Sequence, residues 1–398
     1  MTWNDITRNL PAYPMEELAR IRSDLLAKGM TVYDFGTGDP QIPTWQPIKD
    51  SLSAAIPEVS QYPSIRGTAE IREAIWGYLK RHYQLTPEDG LDILTSNGSK
   101  EAVFHTALCA MGRKGKKTIA YPNPGYPVYR SSILFAQGRP YPIELEQKDH
   151  YLIKPWEMPK DIQSDCAALW INYPHNPTGA TVTKENLEKI INWCQEKDVL
   201  LLSDDCYADI YHSSWDSKGL RPEHPLSIST KNCLSFMSLS KRSGLTGYRT
   251  GFIVGDADLM KGLARARANF GVGTPTQTQK AAATAWHDET HVAARRQQFS
   301  ERIDLAYRYL NELDLIADKP QAGFYLWCRL PAGDDDVNFC LDLAKQGVIA
   351  SPSQWLSEGI KGYVRFALVP TLPNTEKAMQ ILQKFVNARY PTKGDKTS

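Results

Sequence analysis

Five short apolar runs, most of them followed at once by a polar motif, constrain this chain more than any other feature. They are Leu91-Asp92-Ile93-Leu94, Ala167-Ala168-Leu169-Trp170-Ile171, Val199-Leu200-Leu201-Leu202, Cys233-Leu234-Ser235-Phe236-Met237 and Gly251-Phe252-Ile253-Val254. Strands that are apolar on both faces belong in a largely parallel sheet covered by helices on each side. Helix-period stretches lie between them: residues 68–83 place Ile71, Ile75 and Leu79 at fourfold spacing, and residues 183–197 place Leu187, Ile190, Ile191 and Cys194 on one face. Ser96 to Lys100 follows the first run, Asn172 to Gly179 the second, Asp204 to Tyr207 the third and Ser238 to Lys241 the fourth. Open α/β sheets collect ligands at the carboxyl ends of their strands, so these four motifs are expected to converge on one crevice.

From about residue 290 the pattern changes. A helix-prone stretch from Val292 to Leu313 is followed by β-rich segments over 323–330 and 362–368, which read as a small α+β domain. The segment Leu10-Pro11-Ala12-Tyr13-Pro14, leading into a helix over about 15–28, is expected to pack with it. The division expected is a large domain over 45–290 and a small one formed by 1–44 and 291–398, which 398 residues at 42% hydrophobic content can supply with separate cores. The polar tail 391–398 is expected to fray.

Charge and composition exclude several function classes. Forty-six basic and 45 acidic residues leave a formal charge of +1, which gives no field for nucleic acid or an anionic membrane. No apolar stretch is long enough to span a bilayer, and Met1-Thr2-Trp3-Asn4-Asp5 lacks the parts of a secretion signal, so the cytoplasm is the expected location. The seven cysteines contain no Cys-x-x-Cys pair, so neither a metal site nor a disulfide framework is suggested.

The chemistry of the crevice centres on Lys241. A lysine becomes a covalent catalyst by forming a Schiff base, and pyridoxal phosphate held that way needs a carboxylate at its ring nitrogen and hydroxyls with a cation around its phosphate. Ser238, Ser240 and, eight residues beyond the lysine, Arg249 make such an anion cradle. Ser96-Asn97-Gly98-Ser99-Lys100 can add backbone amides at a helix N-terminus, or serve as an ordinary strand-to-helix turn. Asp204 or its neighbour Asp205, at the end of a buried strand, needs a partner, and a ring nitrogen is one; chemistry alone leaves the choice open. Tyr207 and Asn176, in Asn176-Pro177-Thr178-Gly179, can reach the cofactor's phenolic oxygen, and Tyr126 can stack on a planar ring or simply pack.

Assembled, these motifs make the chain resemble class I aminotransferases of pyridoxal-phosphate fold type I, over residues 13 to 385. The resemblance implies an α/β fold: a large domain with a mostly parallel seven-stranded sheet and a smaller α+β domain. It implies Lys241 as the Schiff-base lysine and Asp204, first of the Asp-x-x-Tyr set, as the ring-nitrogen partner. It further implies Asn176 and Tyr207 at the phenolic oxygen, Tyr126 on the ring, and Ser99, Lys100, Ser238, Ser240 and Arg249 around the phosphate. Arg365 in Val364-Arg365-Phe366-Ala367 matches the family's arginine for the substrate α-carboxylate, and Gly38 in Gly36-Thr37-Gly38-Asp39-Pro40 lines the same end. Tyr62 matches a tyrosine that reaches the phosphate of a neighbouring subunit, which implies a homodimer with shared active sites. The implied reaction moves an amino group between an amino acid and a 2-oxo acid by a ping-pong route, with Lys241 as general base.

Substrate signals are fewer. The segment Gly271-Val272-Gly273-Thr274-Pro275-Thr276-Gln277 contains no arginine, unlike the aspartate-specific subgroup, and Arg66 is a candidate contact for a distal carboxylate. The opening at Leu10 to Pro14 and the phrase Ser240 to Gly244 are most similar to N-succinyldiaminopimelate aminotransferases. An aspartate or other amino acid aminotransferase and a β-elimination lyase are the alternatives, since the fold fixes the cofactor while the pocket selects the bond that breaks.

Overall fold

The computed structural model describes residues 3–8, 10, 14–315 and 318–391. Residues 11–13 of the opening motif and the tail from residue 392 lie outside the described residues. A two-residue strand, β1 (Tyr33–Asp34), precedes the central sheet, which is built from β2 (Leu91–Ser96), β3 (Thr118–Asn123), β4 (Arg139–Glu144), β5 (Cys166–Ile171), β6 (Leu200–Asp204), β7 (Cys233–Ser238) and β8 (Gly251–Asp256). Their order is β2-β8-β7-β6-β5-β3-β4. All neighbours pair in parallel except β8, which runs antiparallel to both β2 and β7.

The all-apolar strands are buried on both faces. β5 and β6 have no exposed position. Alternate residues enter separate cores: Leu169, Ile171 and Leu201 pack with the helices Ala69–Tyr83, Lys184–Glu196 and Thr276–His287. Ala168, Trp170, Leu200 and Leu202 pack with Ser99–Ala110, Val128–Phe135 and Ala257–Arg267. That period of two places helices on both sides of the sheet. The helix Ala69–Tyr83 starts where the Thr68 hydroxyl accepts from the Ile71 amide, and it buries Ile71, Ile75 and Leu79, each contributing about 1.5–3 kcal/mol.

A second core gathers Phe35, Ile303, Leu326, Phe366 and Leu382. It holds β9 (Tyr325–Arg329), β10 (Val348–Ile349), β11 (Ser351–Pro352) and β12 (Tyr363–Ala367), ordered β11-β12-β9 in one antiparallel sheet, with β10 pairing in parallel with β1. The long helix of this unit spans Thr290–Glu312. The N-terminal helix Pro14–Ala27 places Leu18 and Leu25 against Ala344 and Ile349. Among the described residues no helix is long and apolar enough to cross a membrane.

Candidate active site

The carboxyl ends of β2, β5, β6 and β7 open into a crevice of about 330 Å³ closed from the other side by the second unit. Ser99, Lys100, Tyr126, Asn176, Asp204, Tyr207, Ser240, Lys241 and Arg249 all line it, and Gly38 and Arg365 complete its far end. They arrive from several separate segments of the chain, so the convergence expected of the four motifs is present in the fold.

Lys241 lies in the short helix Leu239–Arg242 directly after β7. Its Nζ donates to the Gly38 carbonyl and sits 5.9 Å from the centre of the Phe324 ring. Burial lowers its pKa from the usual lysine range, which favours the neutral amine. Asp204 ends β6 with its carboxyl 3% exposed. One oxygen accepts from the Tyr129 hydroxyl at 2.9 Å, while the other, Oδ1, is buried without a partner among the described residues. Burial pushes this carboxyl up to about 6, against the Tyr129 hydrogen bond that lowers it. Asp205 points elsewhere: its carboxylate accepts from Ser203 at 2.7 Å and from Ser235, beside the buried His224.

At the other end, Arg365 donates to Asn176 Oδ1 at 3.0 Å and to the Gly36 carbonyl at 2.7 Å. The Asn176 amide is itself held by Asn172 Oδ1, and Asn172 donates on to the Asp204 carbonyl at 2.7 Å. Tyr207 and Tyr325 share a hydroxyl contact of 2.7 Å, and burial raises both, Tyr325 to about 12. Arg249 adopts a left-handed backbone, φ 51°, and donates to the carbonyls of Thr246 and Asn97. Gly98 adopts φ 81°, a left-handed backbone that favours glycine, and the Arg249 guanidinium lies beside it.

Three residues singled out in the sequence stand outside this lining. Ser238 is buried and its hydroxyl accepts from the Ser240 amide as a helix cap. Tyr62 is fully exposed. Arg66 is ion-paired with Asp92 at 3.0 Å, away from the crevice, so the chain's own fold supplies no distal-carboxylate role for it. Conversely, Tyr129, Asn172, Cys206, Tyr325 and Leu356 belong to the site or hold it, and the sequence reading did not select them as site residues. Tyr129 carried a usable signal, three residues after Tyr126 at the start of a helix.

A buried carboxyl with an unpartnered oxygen, a buried amine of lowered basicity and an arginine beside a helix N-terminus fit pyridoxal phosphate. The model of the family described as aminotransferase class I and II matches residues 29–382. The chain belongs to the class I and II aminotransferases. It is a pyridoxal-phosphate-dependent enzyme of fold type I. Over 396 residues it is 32% identical to the LL-diaminopimelate aminotransferase of Aquifex aeolicus, covering 97% of this chain and 99% of that one. A crystal structure of an aminotransferase from Neisseria meningitidis superposes with a TM-score of 0.85 at 27% identity, over 96% and 100% of the two chains. The probable N-succinyldiaminopimelate aminotransferase of Thermus thermophilus superposes with a TM-score of 0.84 at 23% identity, over 93% and 99%, which speaks for the aminotransferase fold alone. The expected special likeness to N-succinyl enzymes therefore gives way to one with LL-diaminopimelate aminotransferases, because the two short phrases that suggested it weigh less than identity along nearly the whole chain.

Proposed function

We propose that this aminotransferase acts on LL-diaminopimelate or a close analogue, with 2-oxoglutarate as the second substrate, in the cytoplasm. Identity running through 97% of the chain to an enzyme of that name carries the reading. Amino-donor profiling tests the reading: LL-diaminopimelate is expected to exceed N-succinyl-LL-diaminopimelate, aspartate and alanine in kcat/KM, and a preference for any of the others rejects it. Ammonia release without an acceptor would indicate the lyase alternative.

In this reading Lys100, Ser99, Ser240 and Arg249 hold the phosphate, aided by the helix N-terminus at Ser99. Asp204 would hold the ring nitrogen, its Oδ1 being without a partner among the described residues while Tyr129 fixes the other oxygen. Bound pyridoxal phosphate supplies an electron-withdrawing ring that stabilises negative charge at the substrate α-carbon. Lys241, whose burial favours the neutral amine, would take the α-proton of the bound amino acid. Arg365 binds the α-carboxylate, and Asn176 keeps the guanidinium turned towards it. Replacing Arg365 with lysine removes the bidentate fork, so kcat/KM for donor and acceptor alike is expected to fall about 10- to 100-fold. Steady-state kinetics with both substrates check this; a change confined to one overturns the role.

The enzyme is further proposed to be a homodimer sharing its active sites. Ile56 lines a largely apolar groove of about 1360 Å³ that shares Lys100 and Arg249 with the crevice, and Val59 and Tyr62, a few residues on, are exposed. If Tyr62 serves the neighbouring subunit, a mixture of inactive Lys241→Ala and impaired Tyr62→Ala chains regains one intact site per mixed dimer. Activity above the sum of the separate variants is expected after subunit exchange, and strict additivity rejects sharing.

A further inference from the structure

The crevice that takes the cofactor is small, about 330 Å³, and a second cavity of about 440 Å³ lies against it, sharing Tyr126, Pro127 and Leu356 as a common wall. A long substrate needs such an extension. The larger apolar groove adjoins the phosphate end, where it shares Lys100 and Arg249, whereas the second cavity adjoins Leu356, which lines the crevice together with Arg365. A substrate side chain leaving the α-carbon therefore has the second cavity as its path.

Two oppositely charged groups stand side by side in the wall of that cavity. Arg130 Nε lies 3.2 Å from Glu358 Oε2, with the two side chains 37% and 41% exposed. The Tyr121 hydroxyl donates to the other Glu358 oxygen. Backbone contacts fix the carboxylate: Glu358 N donates to Asn123 Oδ1 and Asn123 Nδ2 donates to the Glu358 carbonyl, both at 2.8 Å, while Gly125 N donates to the Leu356 carbonyl at 2.8 Å. The buried Asp336 holds the same loop from behind, accepting from Ser353 at 2.7 Å and from the Gln354 amide at 3.0 Å. The closest contact of Glu358 with Arg130 is at Nε, and the terminal guanidinium nitrogens are the donors offered to a carboxylate.

The geometry points to Arg130 and Glu358 as a subsite for the distal α-amino-carboxylate of a diamino dicarboxylic acid. Arg130 receives the distal carboxylate and Glu358 the distal ammonium, and Leu356 and Tyr126 enclose the methylenes between. The assignment rests on the diaminopimelate reading above and deepens it: an N-succinylated substrate offers no ammonium to Glu358, and its terminal carboxylate is repelled there.

The test separates the two readings by using unreactive ligands on the holoenzyme. Pimelate, a seven-carbon chain with a carboxylate at each end, and its shorter homologue glutarate are titrated against the visible band of the bound cofactor. Arg130→Gln is expected to raise the Kd of pimelate about tenfold and that of glutarate less than twofold. Glu358→Gln is expected to tighten pimelate, by removing a repelling charge, yet to raise the KM for LL-diaminopimelate about tenfold. These opposite signs are not produced by a general loosening of the loop. Equal changes for both dicarboxylates, or both variants shifting pimelate the same way, overturn the subsite. Wild-type enzyme that discriminates pimelate through Arg130 but does not transaminate diaminopimelate upholds the subsite and refutes the substrate reading.

Discussion

Lys241→Ala is expected to take up pyridoxal phosphate weakly and to lose transamination by about 10³- to 10⁴-fold or more, because the same amine anchors the cofactor and moves the α-proton. Its fold is expected to be intact: the Lys241 side chain makes one hydrogen bond, to the Gly38 carbonyl, and no ion pair among the described residues. Far-ultraviolet dichroism and the melting temperature of the apoenzyme check the fold, and absorption spectra with single-turnover assays check the chemistry. Added methylamine offers a second readout, since a small amine that enters the vacated space is expected to restore part of the rate. Retention of more than a few per cent of wild-type turnover would remove Lys241 from the mechanism.

Asp204→Asn is expected to have opposite effects on the empty and loaded enzyme. The buried carboxyl titrates near 6 in the folded chain but near the ordinary aspartate value once unfolded, so between those values the native state holds the extra proton. Stability therefore falls as pH rises through that interval, by about 3 kcal/mol once complete. Apo Asp204→Asn is expected to be more stable than the wild-type apoenzyme at pH 8 by that order, and equally stable below pH 4. With cofactor the sign reverses, since the variant cannot pair with a protonated ring nitrogen, and loss of a buried charge partner costs about 2–5 kcal/mol of affinity. Thermal denaturation at the two pH values, with and without cofactor, measures both effects. A stabilisation independent of pH would mean that the aspartate charge is already balanced within the protein.

The sequence made the sheet legible where its strands are buried on both faces and the helices where apolar residues recur every three or four positions. β3 and β4 escaped because their composition hides them: β3 contains Pro122, and β4, the edge strand, carries Pro140 and Pro142 with charged residues at both ends. Proline cannot donate to a ladder and is tolerated at an edge, so such a strand lacks the usual signature. The reversed direction of β8 is also unreadable from a run of apolar residues, since polarity patterns carry no strand sense.

For the site, residues inside compact motifs were found and their supports were not. Lys241, Asp204 and Asn176 stand in short polar phrases after strands, whereas Tyr129 and Tyr325 look like ordinary core aromatics until the fold brings one to Asp204 and the other to Tyr207. Arg365 and Gly38 came from resemblance, because an arginine inside a β-rich run and a glycine in a loop have no local signal of their purpose. Arg130 and Glu358 are farther from legibility still, being 228 positions apart on surface-polar segments until the loop after β11 crosses the carboxyl end of β3.

The distribution of the crevice along the chain also orders its appearance during synthesis. Every lining residue proposed for the cofactor lies at or before Arg249, while Arg365 and Leu356 emerge from the ribosome over a hundred residues later. Synthesis thus delivers the segments of the cofactor end of the sheet before those of the substrate clamp.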